Sequence, residues 1–184
     1  MSATATTHHQ DEGTHIHDSL TIQPATLAQL ESLTAPSADL HHVLGIRIPS
    51  GWPHFHEAVP FTLSRLRDHP DEGEWWMHLF LVGNDLVGSG GFCGPPQEGI
   101  AEIGYEIAPG HQQRGHATAA AAALVAKAFD HPDVRAVAAH TPAAEGPSAR
   151  VLRRLGFRVV AAVDGGDDGE LWRWELTRAE VVGA

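Results

Sequence analysis

Apolar and polar positions along this chain follow two periods, and the switches between them mark out its elements. Residues 19–23 alternate, as a strand with one buried face does. Thr26, just after Pro24, predicts a capped helix reaching about Leu33. Residues 39–66 contain Pro49, Ser50, Gly51 and Pro53, which predicts two helical pieces with a break. Trp75 to Val82 is strongly apolar, Gly83-Asn84-Asp85 reads as a turn, and Leu86 to Cys93 continues as a second strand, giving a hairpin. After a second turn at 94–99, residues 100–108 predict a strand with Glu102 and Glu106 on one face and Tyr105 on the other. An alanine-rich helix over 115–129 follows and stops before His131-Pro132, because the residue before proline disfavours helix. Val134 to Thr141 predicts a strand, and Ser148 to Leu155 a short helix closed by Gly156. Residues 158–163 and 170–176 predict a closing hairpin.

This order, with no internal repeat, predicts a mixed sheet with helices on both faces. One domain is expected over residues 19–177. Residues 1–18, polar and holding His8, His9, His15 and His17, are expected as a flexible tail. Residues 178–184 are expected as a C-terminal tail.

Composition narrows the function classes. With 184 residues, 42% hydrophobic and 19% charged, the chain can bury one core of ordinary size. Its formal net charge of −11 argues against nucleic acid as a partner, which needs clustered Lys and Arg. It fits a cationic or amine-bearing substrate, although solubility alone accounts for such a charge. The single cysteine, Cys93, excludes an internal disulfide and points to an intracellular, cytoplasmic setting. The start of the chain lacks the basic and apolar regions of a signal peptide. The longest apolar run, Ala119 to Ala126, is too short to span a bilayer, so no membrane role is expected.

The chemistry concentrates at Gln112-Gln113-Arg114-Gly115-His116-Ala117, between the strand at 100–108 and the alanine-rich helix. A turn with exposed backbone N–H groups opening a helix is an anion site, and a side chain at Gly115 would block a phosphate from the backbone. A second motif, Pro147 to Phe157, ends in Leu155-Gly156-Phe157. Together these stretches resemble the GNAT superfamily of N-acetyltransferases, over about residues 19–177. The pattern is most similar to the branch that acetylates the N-termini of ribosomal proteins. The resemblance implies an α/β (α+β) fold with a mixed, mostly antiparallel sheet of about six to seven strands, flanked by helices on both faces.

It also implies acetyl-CoA as the acetyl donor, an amine-bearing acceptor, and direct transfer in a ternary complex by a monomer or homodimer. The cofactor's pyrophosphate would lie on the N–H groups of Gln113, Arg114, Gly115, His116, Ala117 and Thr118. Gln112, Gly115 and Ala117 hold the motif's defining positions. The pantetheine would run beside Ile107 and Ala108, with an oxyanion donor near Ile107. An amine of pKa near 10 is free in only about one molecule in a thousand at pH 7, so a base is needed. Glu102 resembles the catalytic glutamate of the family's histone-acetylating members, one residue displaced, and is preferred to Glu106. Glu106 is assigned to the acceptor.

Where many members carry a tyrosine acid, this chain has Leu152. Ser148 stands where the ribosomal branch has a serine and is the candidate acid, with a helix N-cap as its other role. Glu145 occupies a pantetheine-contacting position that is usually asparagine. A carboxylate cannot donate as an amide does, so its alternative is to face the acceptor amine. Trp52, His54 and Phe55 fall where the family builds its acceptor wall, with core packing as the other reading for Trp52 and Phe55.

His54, His56, His41, His42 and the histidines of the first 18 residues lack zinc-site spacing, and no metal is expected. Two rivals stay open: a GNAT domain that senses acyl-CoA without turnover, and a toxin that acetylates aminoacyl-tRNA, which the negative charge disfavours.

Overall fold

The structure is a computed structural model and describes residues 19–34 and 45–182. His8, His9, His15, His17, His41 and His42 lie outside the described residues, as do residues 39–44 of the helical region expected over 39–66. Seven strands form one sheet: β1 (Thr21–Pro24), β2 (Met77–Val82), β3 (Asp85–Phe92), β4 (Ile100–Ile107), β5 (Ala136–Pro142), β6 (Arg158–Asp164) and β7 (Glu170–Thr177). Their order is β1-β2-β3-β4-β5-β7-β6. Every neighbouring pair is antiparallel except β4 and β5. The fold is the expected mixed, mostly antiparallel sheet between helices.

Two cores lie on opposite faces of the sheet. On one, α1 (Leu27–Thr34) and α2 (Ala58–Asp68) set Leu30, Val59, Leu63 and Leu66 against Met77, Leu79 and Leu81. On the other, α3 (His116–Asp130) and α4 (Pro147–Arg154) set Leu124, Ala128 and Leu152 against Phe80, Ile103, Val137 and Trp174. The near-continuous apolar run of β2 follows from burial on both faces. Its polar exception, His78, is fully buried. His78 Nδ1 lies 3.0 Å from the Trp76 carbonyl, and burial pushes its pKa down to about 4. The ring is therefore neutral at pH 7. With Nδ1–H donating, Nε2 is a lone pair with no partner among the described residues.

The helix expected from Ser148 begins one residue earlier, at Pro147. It ends in paired bonds, Phe157 N–H to Leu152 O (3.0 Å) and Gly156 N–H to Arg153 O (3.0 Å). These need the left-handed residue that Gly156 supplies, at φ 91°.

Two further differences from expectation lie at element ends. The strand expected from Trp75 starts at Met77, because Pro70–Trp75 coil into a 3₁₀ turn. Trp75 then packs on Phe92 and His131, with ring centroids 5.0 and 4.5 Å apart. The tail expected from residue 178 is, to 182, a short helix α5 (Arg178–Val182). Arg178 pins it by donating to the carbonyls of Phe129 (2.7 Å), His131 (2.6 Å) and Val134 (2.8 Å).

One irregularity positions the site. β4 pairs with β5 only over Ile100–Glu102 against Ala136–Ala138, while it pairs with β3 on to Ile107. Beyond Glu102 the two central strands splay apart. Glu102 O accepts from Cys93 N–H and Ala108 N–H donates to Val87 O, so even-numbered residues of this stretch bond to β3. By alternation, the backbone groups of Tyr105 and Ile107 point into the splay.

Candidate active site

Two cavities meet over β4. One is a cleft of about 720 Å³ between the loop at 109–115, the end of β4 and α4. The other is an apolar cavity of about 460 Å³ between α2 and strands β2 to β4. Phe55, Tyr105 and Glu106 line both.

The loop is shaped by two left-handed residues, Gln113 (φ 61°) and Gly115 (φ 84°). Gly115 serves as the N-cap of α3, a conformation a Cβ penalises, while the space beside it is open. The Gln112 side-chain amide donates to Ile107 O (3.0 Å) and ties the loop to β4. The first helical bond of α3 runs from Ala119 N–H to Gly115 O (3.0 Å). The N–H groups of His116, Ala117 and Thr118 therefore lack helical acceptors, and all three residues line the cleft. No acidic side chain occupies this first turn. Burial lowers the pKa of His116, and the charges of His111 and Arg114 lower it further. The anion attraction at pH 7 thus comes from backbone N–H groups and the helix dipole.

Sequence reading missed Arg150 and Arg154, which line the cleft one helical turn apart on α4. Their i, i+4 spacing on the helix carrying Ser148 was the available signal. An anion-binding helix start, two arginines and a splay with free backbone groups fit a phosphorylated, extended thioester donor.

Glu106 is the carboxylate at the junction. Ser89 Oγ donates to its Oε1 (3.1 Å) and His54 N–H to its Oε2 (2.8 Å). Trp52 Nε1 donates in turn to Ser89 Oγ (2.9 Å). Trp52 is thus buried behind Glu106 and is not part of an acceptor wall, whereas His54 and Phe55 do face the cleft. Glu102 lines neither cavity. It accepts from His140 Nδ1 at 2.9 Å, on the far side of Gly104.

Ser148 lines the cleft and is not a cap, since Gly146 is the N-cap of α4. The Tyr105 hydroxyl lies 3.5 Å from the Ser148 carbonyl. Tyr105 is therefore not simply core, and burial pushes its pKa up to about 12. Two expected cofactor contacts fall outside the cleft. Arg114 is exposed beyond it. Glu145 is drawn off by Arg153 (2.5 Å), whose guanidinium lies 5.3 Å over the Trp174 ring. Among the described residues no three His, Cys, Asp or Glu gather as metal ligands. No described helix is long and apolar enough to cross a membrane.

Comparison with known proteins agrees with this fold. A family model described as Acetyltransferase (GNAT) domain matches residues 19–158. An N-acetyltransferase of Bacillus subtilis strain 168, YjdG, named as uncharacterized, is 27% identical over 143 residues, 75% of this chain and 85% of that protein. Among solved structures, Mycobacterium smegmatis RimJ in complex with CoA-disulfide is similar with a TM-score of 0.64 and 22% identity, covering 88% of this chain and 83% of that one. The spermidine/spermine N-acetyltransferase SpeG of Vibrio cholerae has a TM-score of 0.65 and 14% identity, covering 91% and 97%. The chain belongs to the GNAT acetyltransferases. It is an acyltransferase with acetyl-CoA as its acetyl donor.

Proposed function

We propose that this enzyme acetylates a primary amine by direct transfer in a ternary complex, with Glu106 rather than Glu102 as the base. The observation that carries this reading is Glu106 itself: one carboxylate, oriented by two hydrogen bonds, where the donor cleft meets a second cavity. Acetyl-CoA supplies the activated acetyl thioester. The amine enters as an ammonium paired with Glu106, which takes a proton directly or through one water. The amine nitrogen then forms the C–N bond as the C–S bond breaks. One ammonium proton ends on the departing thiol and the other in solvent.

The N–H of Ile107, aimed into the splay, is the proposed donor to the carbonyl oxygen as it becomes negative. Tyr105 and Ser148 form the opposite lip. A Tyr105 hydroxyl titrating at about 12 stays protonated at neutral pH, well above a thiol near 8.5. Its role is then to hold the departing sulfur by a hydrogen bond, with Ser148 Oγ beside it as a second donor. Loop residues Gln113, Gly115, His116, Ala117 and Thr118, with Arg150 and Arg154, are the proposed phosphate contacts.

The test is initial-rate kinetics on the full chain, following thiol release with acetyl-CoA and a panel of primary amines. Intersecting double-reciprocal plots are expected, with a large loss in Glu106→Gln. Parallel plots would overturn direct transfer. Tight CoA binding with no amine turned over would favour an acyl-CoA sensor instead.

A further inference from the structure

The apolar cavity beside Glu106 defines what the acceptor carries besides its amine. Its wall includes Phe55 and Phe61, two large apolar residues that are 51% and 58% exposed. Phe61 meets the buried Trp76 edge-on, with centroids 5.9 Å apart. The floor is the sheet surface at Ser89, Gly91, Cys93 and Gly104. Burial, with Glu102 adding, pushes the Cys93 thiol up to about 11, so it is neutral. Among the described lining residues, Glu106 is the one charged group.

Gly104 is informative because packing does not require it. A Cβ at Gly90 would strike the Gly104 carbonyl at 2.4 Å, and one at Gly91 the Trp76 carbonyl at 2.0 Å. A Cβ at Gly104 would meet nothing within 4 Å, and its φ is not left-handed. Gly104 is nevertheless mid-strand in a central strand, on the same face as Glu106 and exposed into the cavity. What the glycine provides there is room.

Resting on the reading of Glu106 given above, we infer that the acceptor is a primary amine borne on a bulky apolar group, aryl or branched alkyl. The ammonium pairs with Glu106 and the apolar group lies over Gly104, against Phe55, Phe61 and Trp76. A polyamine fits poorly. Its second ammonium would enter an apolar cavity whose described lining holds no carboxylate besides Glu106, a costly desolvation. The transfer gives the N-acetyl amide and free CoA thiol, as balanced above. A free arylalkylamine and a peptide beginning with Phe or Leu both present this chemistry.

The experiment compares kcat/KM for phenethylamine, a Phe-initiated peptide, ethylamine and spermidine, using the full chain with acetyl-CoA. Phenethylamine or the peptide should exceed ethylamine and spermidine by at least about tenfold, as an apolar pocket discriminates by roughly 10- to 200-fold per added methylene-sized group. Whichever of the two is faster identifies the source. Gly104→Leu should narrow that preference by about tenfold or more, as should the surface change Phe61→Ala, with calorimetric CoA binding reporting that each variant is folded. Equal or faster turnover of spermidine or ethylamine would overturn this inference and leave the proposed amine acetylation standing. An unchanged preference in both variants would also overturn it. No turnover of any amine, with CoA still bound, would overturn both.

Discussion

Glu102 and Glu106 leave the same face of one strand, on either side of Gly104, yet stand in different surroundings. Glu106 lies under α2, where Ser89 and the His54 N–H orient it at the junction of two cavities. Glu102 lies on the half of the sheet face where charged side chains pair with one another. It pairs with His140, and Arg173 bonds Glu175 at 2.8 Å on β7. The same residue type on the same face thus becomes a candidate base in one place and part of a solvated ion-pair surface in the other. Strand alternation assigns a face; cover by a helix, and the splay from β5, assign a role.

The largest expected effect is on the Glu106 side. Glu106→Gln keeps the shape and removes the proton acceptor, so kcat/KM should fall about 10²- to 10³-fold with little change in CoA affinity. Calorimetric CoA binding beside steady-state rates checks this, and a loss under threefold would sink the assignment.

A sealed polar group extends the contrast to stability. His78, on β2, titrates at about 4 when folded and near 6.5 when unfolded. Between those values the unfolded chain binds the proton and the folded chain does not. Stability is therefore full above pH 6.5 and declines toward pH 4, by a total of about 3 kcal/mol. Denaturant unfolding across this range should show the decline, and His78→Leu should flatten it. Identical pH profiles for the two proteins would refute the account.

The donor side is tested by Gly115→Val. A branched side chain at φ 84° strains the turn and fills the space before the α3 N–H groups. CoA affinity should fall roughly 30-fold, about 2 kcal/mol, seen as a lost thermal shift with CoA. An unchanged shift would place the phosphates elsewhere.

The smallest effect belongs to Glu102→Gln, which alters one part-buried contact with His140. Stability should change by under about 1 kcal/mol and kcat/KM by less than threefold. A loss matching that of Glu106→Gln would reverse the comparison.

Much of the fold was legible in order of appearance along the chain. The hairpin of β2 and β3, the loop before α3, and the Leu155-Gly156-Phe157 terminus depend on local chemistry: apolar runs, turn residues, and glycine where φ is positive. The donor-side loop was legible for the same reason, since a helix start and its glycine cap are neighbours in sequence. The rest of the site was less so. Ser89, the hydroxyl of Tyr105, and Arg150 with Arg154 reach it from β3, β4 and α4, and packing between those elements brings them together. Glu145 and Arg114 sit in motif positions, but Arg153 draws the first away and solvent holds the second.

By itself, then, the sequence determined element order, the sheet with helices on both faces, and a glycine-capped helix start with free N–H groups, because each rests on periodicity or on residues a few positions apart. Tertiary structure alone decided which glutamate stands at the cleft, which aromatic rings remain open to a cavity, and that Gly104 leaves space rather than avoids a clash. Those outcomes depend on where β4 parts from β5 and where α2 lies across the sheet, and contacts between distant segments set both.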